Sequence, residues 1–317
     1  MSEVGFGAWQ IGADWGDVAH EDALAALHAA ADAGVTFFDT ADVYGDGRSE
    51  RLVGRFARDR AEGGAPVVVA TKMGRRAEQT VANYSPDNFR AWNDRSRENL
   101  GVDTLELVQL HCPPTDLYYR PEVFEDLEAM VAEERIAAYG VSVERVEEGL
   151  KALEYPGVAT VQIIFNAFRQ RPAVLFLAEA ARRGVGVIAR VPLASGLLSG
   201  RYTRETSFGP DDHRSFNRHG EQFDVGETFA GVPFDVGLEA VEELLPLVPD
   251  GATPAQFALR WILMNDGVST VIPGARSPEQ ARANAAAADL PALDEGTMAR
   301  VAEIYERRIA PHVHQRW

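Results

Sequence analysis

A (β/α)₈ TIM barrel, with an inserted loop between strands seven and eight, is the fold this sequence predicts. Three observations lead there. Short β-rich runs alternate with helical patterns from end to end, about eight such pairs fit into 317 residues, and no domain boundary interrupts residues 1–317. Apolar strands each followed by a helix imply right-handed crossovers and a parallel sheet. Eight units over this length favour closure into a single barrel domain over an open sheet.

The elements follow in order. VGFGAWQIG reads as the first strand and Glu21–Ala33 as an alanine-rich helix, with Gly34 as its stop. VTFFDTA is the second strand, Glu50–Arg60 its helix, and VVVATK the third strand. Ser85-Pro86-Asp87 reads as an N-cap with proline at the first helical position, opening a helix that runs to about Leu100. LELVQLHC, the helix Glu122–Glu134, AAYGVSV, the helix Val146–Leu153 and TVQIIFN continue the alternation. The helix Ala173–Arg183 ends at Gly184, and VGVIARV is the seventh strand. A polar insertion from about Arg201 to Phe234 and two helical stretches precede the eighth strand, STVIPG, and its helix Pro278–Ala288. The run Asn284–Asp289 reads as helix and not as a linker.

Charge narrows the function. With 31 basic and 48 acidic residues the formal charge is −17, which argues against nucleic acid, since phosphate binding needs a basic surface. Cys112 is the single cysteine, so no internal disulfide framework is expected and a reducing, cytoplasmic compartment is the default. The first ten residues lack the basic and apolar regions of a signal peptide. No apolar run approaches a membrane span.

Barrel enzymes carry their functional groups at the C-terminal ends of the strands. Those ends hold Asp39 after VTFF, Lys72 after VVVAT and His111 after LVQL, with Tyr44 in the loop after strand two. Each has a plain structural use alone: a cap for Asp39, an ion pair for Asp39 with Lys72, a hydrogen-bonded core residue for His111. Together they suit proton transfer. A tyrosine titrates near 10, a neighbouring ammonium is expected to lower that value, and a carboxylate holds the ammonium in place. A histidine opposite orients a carbonyl by hydrogen bonding. Protonation of an alkoxide as it forms is what reduction of a carbonyl by hydride requires.

At these residues the chain resembles the aldo-keto reductase superfamily. FFDTADVYGDGRSE (Phe37–Glu50), ATK and LVQLHCP match its strand signatures, and GVS, VQIIFN, PLASGLLSGRY and VIPGARSPEQARAN extend the match in order over nearly the whole chain. The resemblance implies an NADPH/NADP⁺-dependent reductase of a small-molecule carbonyl substrate, with Tyr44 as general acid/base, Lys72 and Asp39 tuning it, and His111 orienting the carbonyl. No GxGxxG lies between a strand and a helix, in keeping with a barrel site. For the cofactor the resemblance implies Gly7, Ala8 and Trp9 at the first strand end, with Ser142 and Gln162 on the nicotinamide amide. It also implies Pro192, Leu193, Ser195, Gly196 and Leu198 over the pyrophosphate with Arg201 as the basic residue, and Gly274, Arg276, Gln280 and Asn284 at the adenine end. Arg276, at the start of the last helix, suits a 2′-phosphate.

Some positions depart from the family pattern. Val143 follows the GVS serine where many relatives have Asn, and Gly274-Ala275 replaces a Lys-Ser pair. Arg190 stands where an aromatic stacks on the nicotinamide, a role a planar guanidinium also performs. The hairpin that plugs the barrel bottom is missing or nearly so, which implies a longer N-terminus or a different closure. Trp9, Trp15, Tyr84 and Trp92 are candidates for a substrate pocket, Trp9 foremost, and the 201–234 insertion is a candidate for specificity. His213, His219, His312 and His314 have no metal-ligand spacing with acidic residues or cysteine, so no metal is expected. The terminal HVHQRW reads as a surface tail or a loop over the mouth. A redox-sensing NADP-binding regulatory subunit with slow turnover, and a lyase or hydrolase using Lys72 as a Schiff base, are the competing functions.

Overall fold

A computed structural model describes residues 1–12 and 18–317. Eight parallel strands run in sequence order: β1 (Phe6–Gly7), β2 (Phe37–Asp39), β3 (Val68–Met73), β4 (Leu107–His111), β5 (Tyr139–Ser142), β6 (Val158–Ile164), β7 (Gly186–Arg190) and β8 (Thr270–Val271). The ring closes where Gly5 N–H donates to Val271 O (2.8 Å) and Gly7 N–H to Pro273 O (3.0 Å). The predicted barrel is therefore the observed one.

Helices α1 (His20–Asp32), α2 (Arg48–Glu62), α3 (Pro86–Leu100), α4 (Pro121–Ala132), α5 (Val146–Ala152) and α6 (Phe176–Arg183) follow β1 to β6. The insertion after β7 contains α7 (His213–Phe216), and α8 (Phe234–Leu244) and α9 (Pro254–Leu263) then lead to β8. Beyond it lie α10 (Pro278–Ala285), α11 (Glu295–Ile304) and α12 (Ala310–Val313). Ser85 caps α3 as expected, its hydroxyl accepting from Asn88 N–H. The alanines of α1 have a packing use: Ala23, Ala26 and Ala30 are fully buried, and their small side chains let α1 lie close on α10, where the last helix of the ring meets the first.

Two expectations change. The first strand is only two residues long, because the chain turns into a 3₁₀ helix at Ala8–Ile11. The terminal segment is not a surface tail. Val313 is fully buried and Trp317 is 4% exposed, its indole N–H donating to Asp224 Oδ1 at 2.9 Å. No described helix is long and apolar enough to cross a membrane.

The core lies mainly between strands and helices. Inside the barrel, a smaller apolar cluster of Phe37, Ala70, Leu107, Ile188 and Ile272 lies toward the N-terminal ends of the strands. Strand side chains alternate between faces, so Phe37, Ala70, Leu107 and Ile188 share the inner face with Asp39, Lys72, Gln109 and Arg190, one step further along. Apolar below and charged above, the interior directs chemistry to the C-terminal mouth.

Candidate active site

Register decides which side chains meet. Lys72 lies beside Gln109, His111 beside Ser142, Ser142 beside Gln162 and Ile164 beside Arg190. Lys72 is 1% exposed, and its ammonium uses all three donors. One forms the ion pair with Asp39, one reaches Thr40 O at 2.9 Å, and one reaches Tyr44 Oη at 3.3 Å. The second Asp39 oxygen accepts from Gln109 (3.0 Å) and Gln162 (2.8 Å). A buried ion pair persists only when its remaining hydrogen-bonding capacity is met, and here both partners are saturated.

Tyr44 is aimed by its loop. Gly45 has φ +58°, and a Cβ there would sit 1.7 Å from Gly12 O, so the backbone after Tyr44 runs tight against the turn after β1. That brings Tyr44 under Trp9, whose ring stacks on it at 6.0 Å and 21°. His111 meets the Tyr44 ring edge-on, 5.8 Å away. The four predicted residues therefore share one chamber with Trp9, which also touches His213 and Phe223 of the insertion. Tyr84 and Trp92 pack against each other and Phe89 in the core, and Trp15 lies outside the described residues.

Electrostatics refine the expected roles. Burial raises the Tyr44 phenol above its ordinary value, and the nearby Lys72 charge offsets this only in part, so the expected net lowering is not observed. Burial opposes the Lys72 charge, but Asp39 and Tyr44 more than restore it. An ammonium so firmly protonated, with every donor engaged, is a poor amine nucleophile, which counts against the Schiff-base function. His111 is 5% exposed, and burial, then Arg75, Lys72 and Arg190, push it well below 6.5. Such a shift favours the neutral imidazole, and among the described residues its buried Nδ1 has no hydrogen-bond partner.

Above His111 sits a charged collar that the sequence did not announce. Glu227, from the insertion, bonds Arg75 (2.7 Å) and lies 3.5 Å from Arg190. Glu144, just after β5, bonds Arg190 (2.9 Å) and Arg75 (3.2 Å). Arg190 also donates to Val143 O at 3.1 Å. Cys112 completes the group, with its sulfur and one oxygen of each glutamate within 4.8 Å of one another. That set has metal-ligand chemistry, but the two guanidinium groups already hold both carboxylates. Burial lifts the Cys112 thiol to about 12 and Glu144 to about 7. Burial also works to raise Glu227, but Arg75 and Arg190 outweigh it and hold the carboxyl below its ordinary range. Gln109, two before His111 on β4, is a signal that strand periodicity offered; Arg75, in the loop after β3, and Glu227, on the insertion, had none.

The candidate cofactor residues occupy the ends of neighbouring strands. Gly7 and Gly274 form a bridge, and Asn284 donates to Gly274 O at 3.1 Å. Arg276 is exposed, and its N–H donates to Gln280 Oε1 at 2.8 Å. After β7, Pro192, Leu193, Ser195, Gly196 and Leu198 line a tight turn, and Arg201 is exposed beyond it. Gly196 has φ +95°, with Tyr202 Oη 2.2 Å from a Cβ there. Ser195 is tied to the insertion, accepting from Phe229 N–H (3.0 Å) and donating to Glu227 O (3.1 Å). Ser142 Oγ lies 3.5 Å from Cys112 Sγ, and Gln162 spends its amide hydrogens on Asp39 and Gln109. Arg190 is held in the collar.

The profile of the aldo/keto reductase family matches residues 3–306. An aldo-keto reductase of Strobilurus tenacellus is 30% identical over 98% of this chain and 91% of its own length. Among solved structures, the glycerol dehydrogenase of Gluconobacter oxydans is similar with a TM-score of 0.78 and 30% identity, covering 99% of this chain and 93% of that one. An aldo/keto reductase of Klebsiella pneumoniae in complex with NADP and acetate is similar with a TM-score of 0.68 and 25% identity, over 96% and 91%.

Proposed function

The chain belongs to the aldo/keto reductase family, and from that premise we propose that it reduces an aldehyde or ketone to an alcohol with NADPH. One observation carries the reading: the Lys72 ammonium sits 3.3 Å from Tyr44 Oη while paired with Asp39, beside a neutral His111. NADPH, when bound, supplies the hydride that reaches the carbonyl carbon. Tyr44 donates its proton to the carbonyl oxygen, and Lys72 stabilises the phenolate left behind. A raised phenol value keeps that proton in place until the oxygen becomes basic. His111 gives a hydrogen bond that fixes the carbonyl without adding charge.

The donor set fits such a cofactor. Arg201 and Arg276 are exposed guanidinium groups on loops after neighbouring strands, suited to a ligand with separated phosphates. Gly7, Ala8, Trp9, Ser142, Gln162 and Arg190 would face its nicotinamide end. Pro192, Leu193, Ser195, Gly196 and Leu198 would cover the pyrophosphate, and Gly274, Gln280 and Asn284 would meet the adenosine with Arg276. NADPH titration followed by nicotinamide fluorescence, then a screen of aldehydes, ketones and sugars by NADPH oxidation, tests the reading. Binding with turnover is expected. No change in fluorescence on titration sinks it, and binding with negligible turnover favours a regulatory subunit.

A further inference from the structure

The collar has an internal imbalance. Two guanidinium groups, Arg75 and Arg190, face the carboxyl groups of Glu144 and Glu227, and the charges cancel only while both carboxyl groups are ionised and in place. The four are not equally fixed. Glu144 and Arg190 belong to the barrel rim, directly after β5 and at the end of β7. Glu227 arrives on the insertion and lies across the rim from the loop after β3 to β7. With its side chain turned away, Arg190 keeps Glu144 at 2.9 Å and Val143 O at 3.1 Å. Arg75 loses its 2.7 Å partner and keeps only the longer contact to Glu144. One positive charge is then unmatched, close enough to Cys112 and His111 for their electrostatics to be coupled to it.

We propose that Arg75 is a specificity residue that binds a carboxylate on the carbonyl substrate, and that Glu227 occupies this subsite when no such substrate is present. The preferred substrates are therefore oxo acids and aldehydo acids, whose carboxylate replaces that of Glu227. This inference rests on the reductase reading for its carbonyl half. A neutral carbonyl compound leaves Arg75 either with only its longer contact to Glu144 or still holding Glu227 at the mouth. An acidic one restores the charge balance with a bidentate pair, the geometry a guanidinium favours.

Matched substrates test it with NADPH saturating: succinic semialdehyde against butanal, and 4-carboxybenzaldehyde against benzaldehyde. The acidic member of each pair is expected to have at least about ten-fold higher kcat/KM, carried mainly by KM, a difference of about 1.4 kcal/mol. Arg75→Gln should bring that ratio to within about two-fold, whatever it does to overall rate. Glu227→Gln should raise the ratio about three-fold or more by removing the internal competitor. Equal handling of the pairs by the unmodified enzyme, or Arg75→Gln slowing both members alike, overturns the proposal. An unchanged or lower ratio in Glu227→Gln does the same. Calorimetric titration of the NADP⁺-loaded protein with benzoate and benzyl alcohol gives a readout independent of turnover. Benzoate binding that weakens about ten-fold in Arg75→Gln supports the subsite even if no carbonyl is reduced. Benzoate binding no tighter than benzyl alcohol refutes it.

Discussion

The chamber around Lys72 and the collar around Glu227 both bury paired charges, yet they are built differently. Asp39, Lys72, Gln109 and Gln162 come from four strands whose register is set by the backbone ladder, and they bond one another across the inner face, with Thr40 O and Tyr44 reached from the loop after β2. Arg75, Glu144, Arg190 and Glu227 come from two loops, one strand end and an insertion, and span 152 positions of sequence. A strand-built site cannot adjust without breaking ladder hydrogen bonds. A loop-built one rearranges by turning a side chain or moving a segment. The rigid chamber thus suits the proton transfer, and the adjustable collar suits selection of what enters.

Breaking the chamber should have the largest effect. Tyr44→Phe removes the proposed acid and is expected to cut carbonyl reduction about 10³-fold or more, while the NADPH Kd stays within about three-fold. Stopped-flow hydride transfer and fluorescence titration check both halves. Retained turnover would mean that another group donates the proton.

Lys72→Met strands the Asp39 carboxylate among buried amides. Urea denaturation should show a loss of about 3–5 kcal/mol, the cost of breaking a buried pair from one side. Asp39→Asn in the Lys72→Met background should recover a large part of it. Equal instability in the double variant would point to lost packing as the cause.

Asp42, in the loop after β2, tests whether a buried charge without a close partner is tolerated. It is fully buried, neither oxygen has a close side-chain partner among the described residues, and its ion pair to Arg76 is long, at 3.8 Å. Burial foremost, then Glu50, lifts its value from 3.8 to about 7, against the pull of Arg76. A raised carboxyl contributes stability below its unfolded value and loses it as pH rises through the folded one. The Asp42 contribution should therefore fall between about pH 4 and pH 7, with that of Glu144, lifted from 4.5 to about 7, in the same direction, while the depressed His111 and His213 act oppositely below 6.5. Asp42→Asn should gain a few kcal/mol relative to the parent at pH 8 and little at pH 4, read from urea midpoints. A pH-independent difference would exclude Asp42 ionisation as the cause.

The smallest effect belongs to the surface. Arg308 bonds Glu239 and Glu243 while more than a third exposed, and Arg308→Ala should cost under about 1 kcal/mol. Thermal melts check this. A larger loss would show that exposed ion networks here carry weight comparable to the collar.

What was legible follows the same division. Asp39, Lys72 and His111 could be found because each ends an apolar strand, where a charged or polar residue needs a reason. Gln109 carried a similar signal, a polar residue within LVQLH. The direction of the Tyr44 shift was not legible, because the sequence displays the neighbouring lysine but not the depth of burial. The burial of Trp317 was not legible, since nothing local in HVHQRW reveals that Asp224 and Arg169 receive it.

By itself the sequence determined the barrel, its eight strands and the strand-end residues Asp39, Lys72 and His111, because strand period and strand ends are local patterns that parallel pairing converts directly into geometry; Tyr44, in a loop, rested on the family resemblance. Only the tertiary structure decided that Gln162 serves Asp39, that Arg190 is held by glutamates, and that the insertion brings Glu227 across the mouth to Arg75. Those contacts depend on how distant loops fold over the rim, where no backbone ladder ties sequence spacing to position.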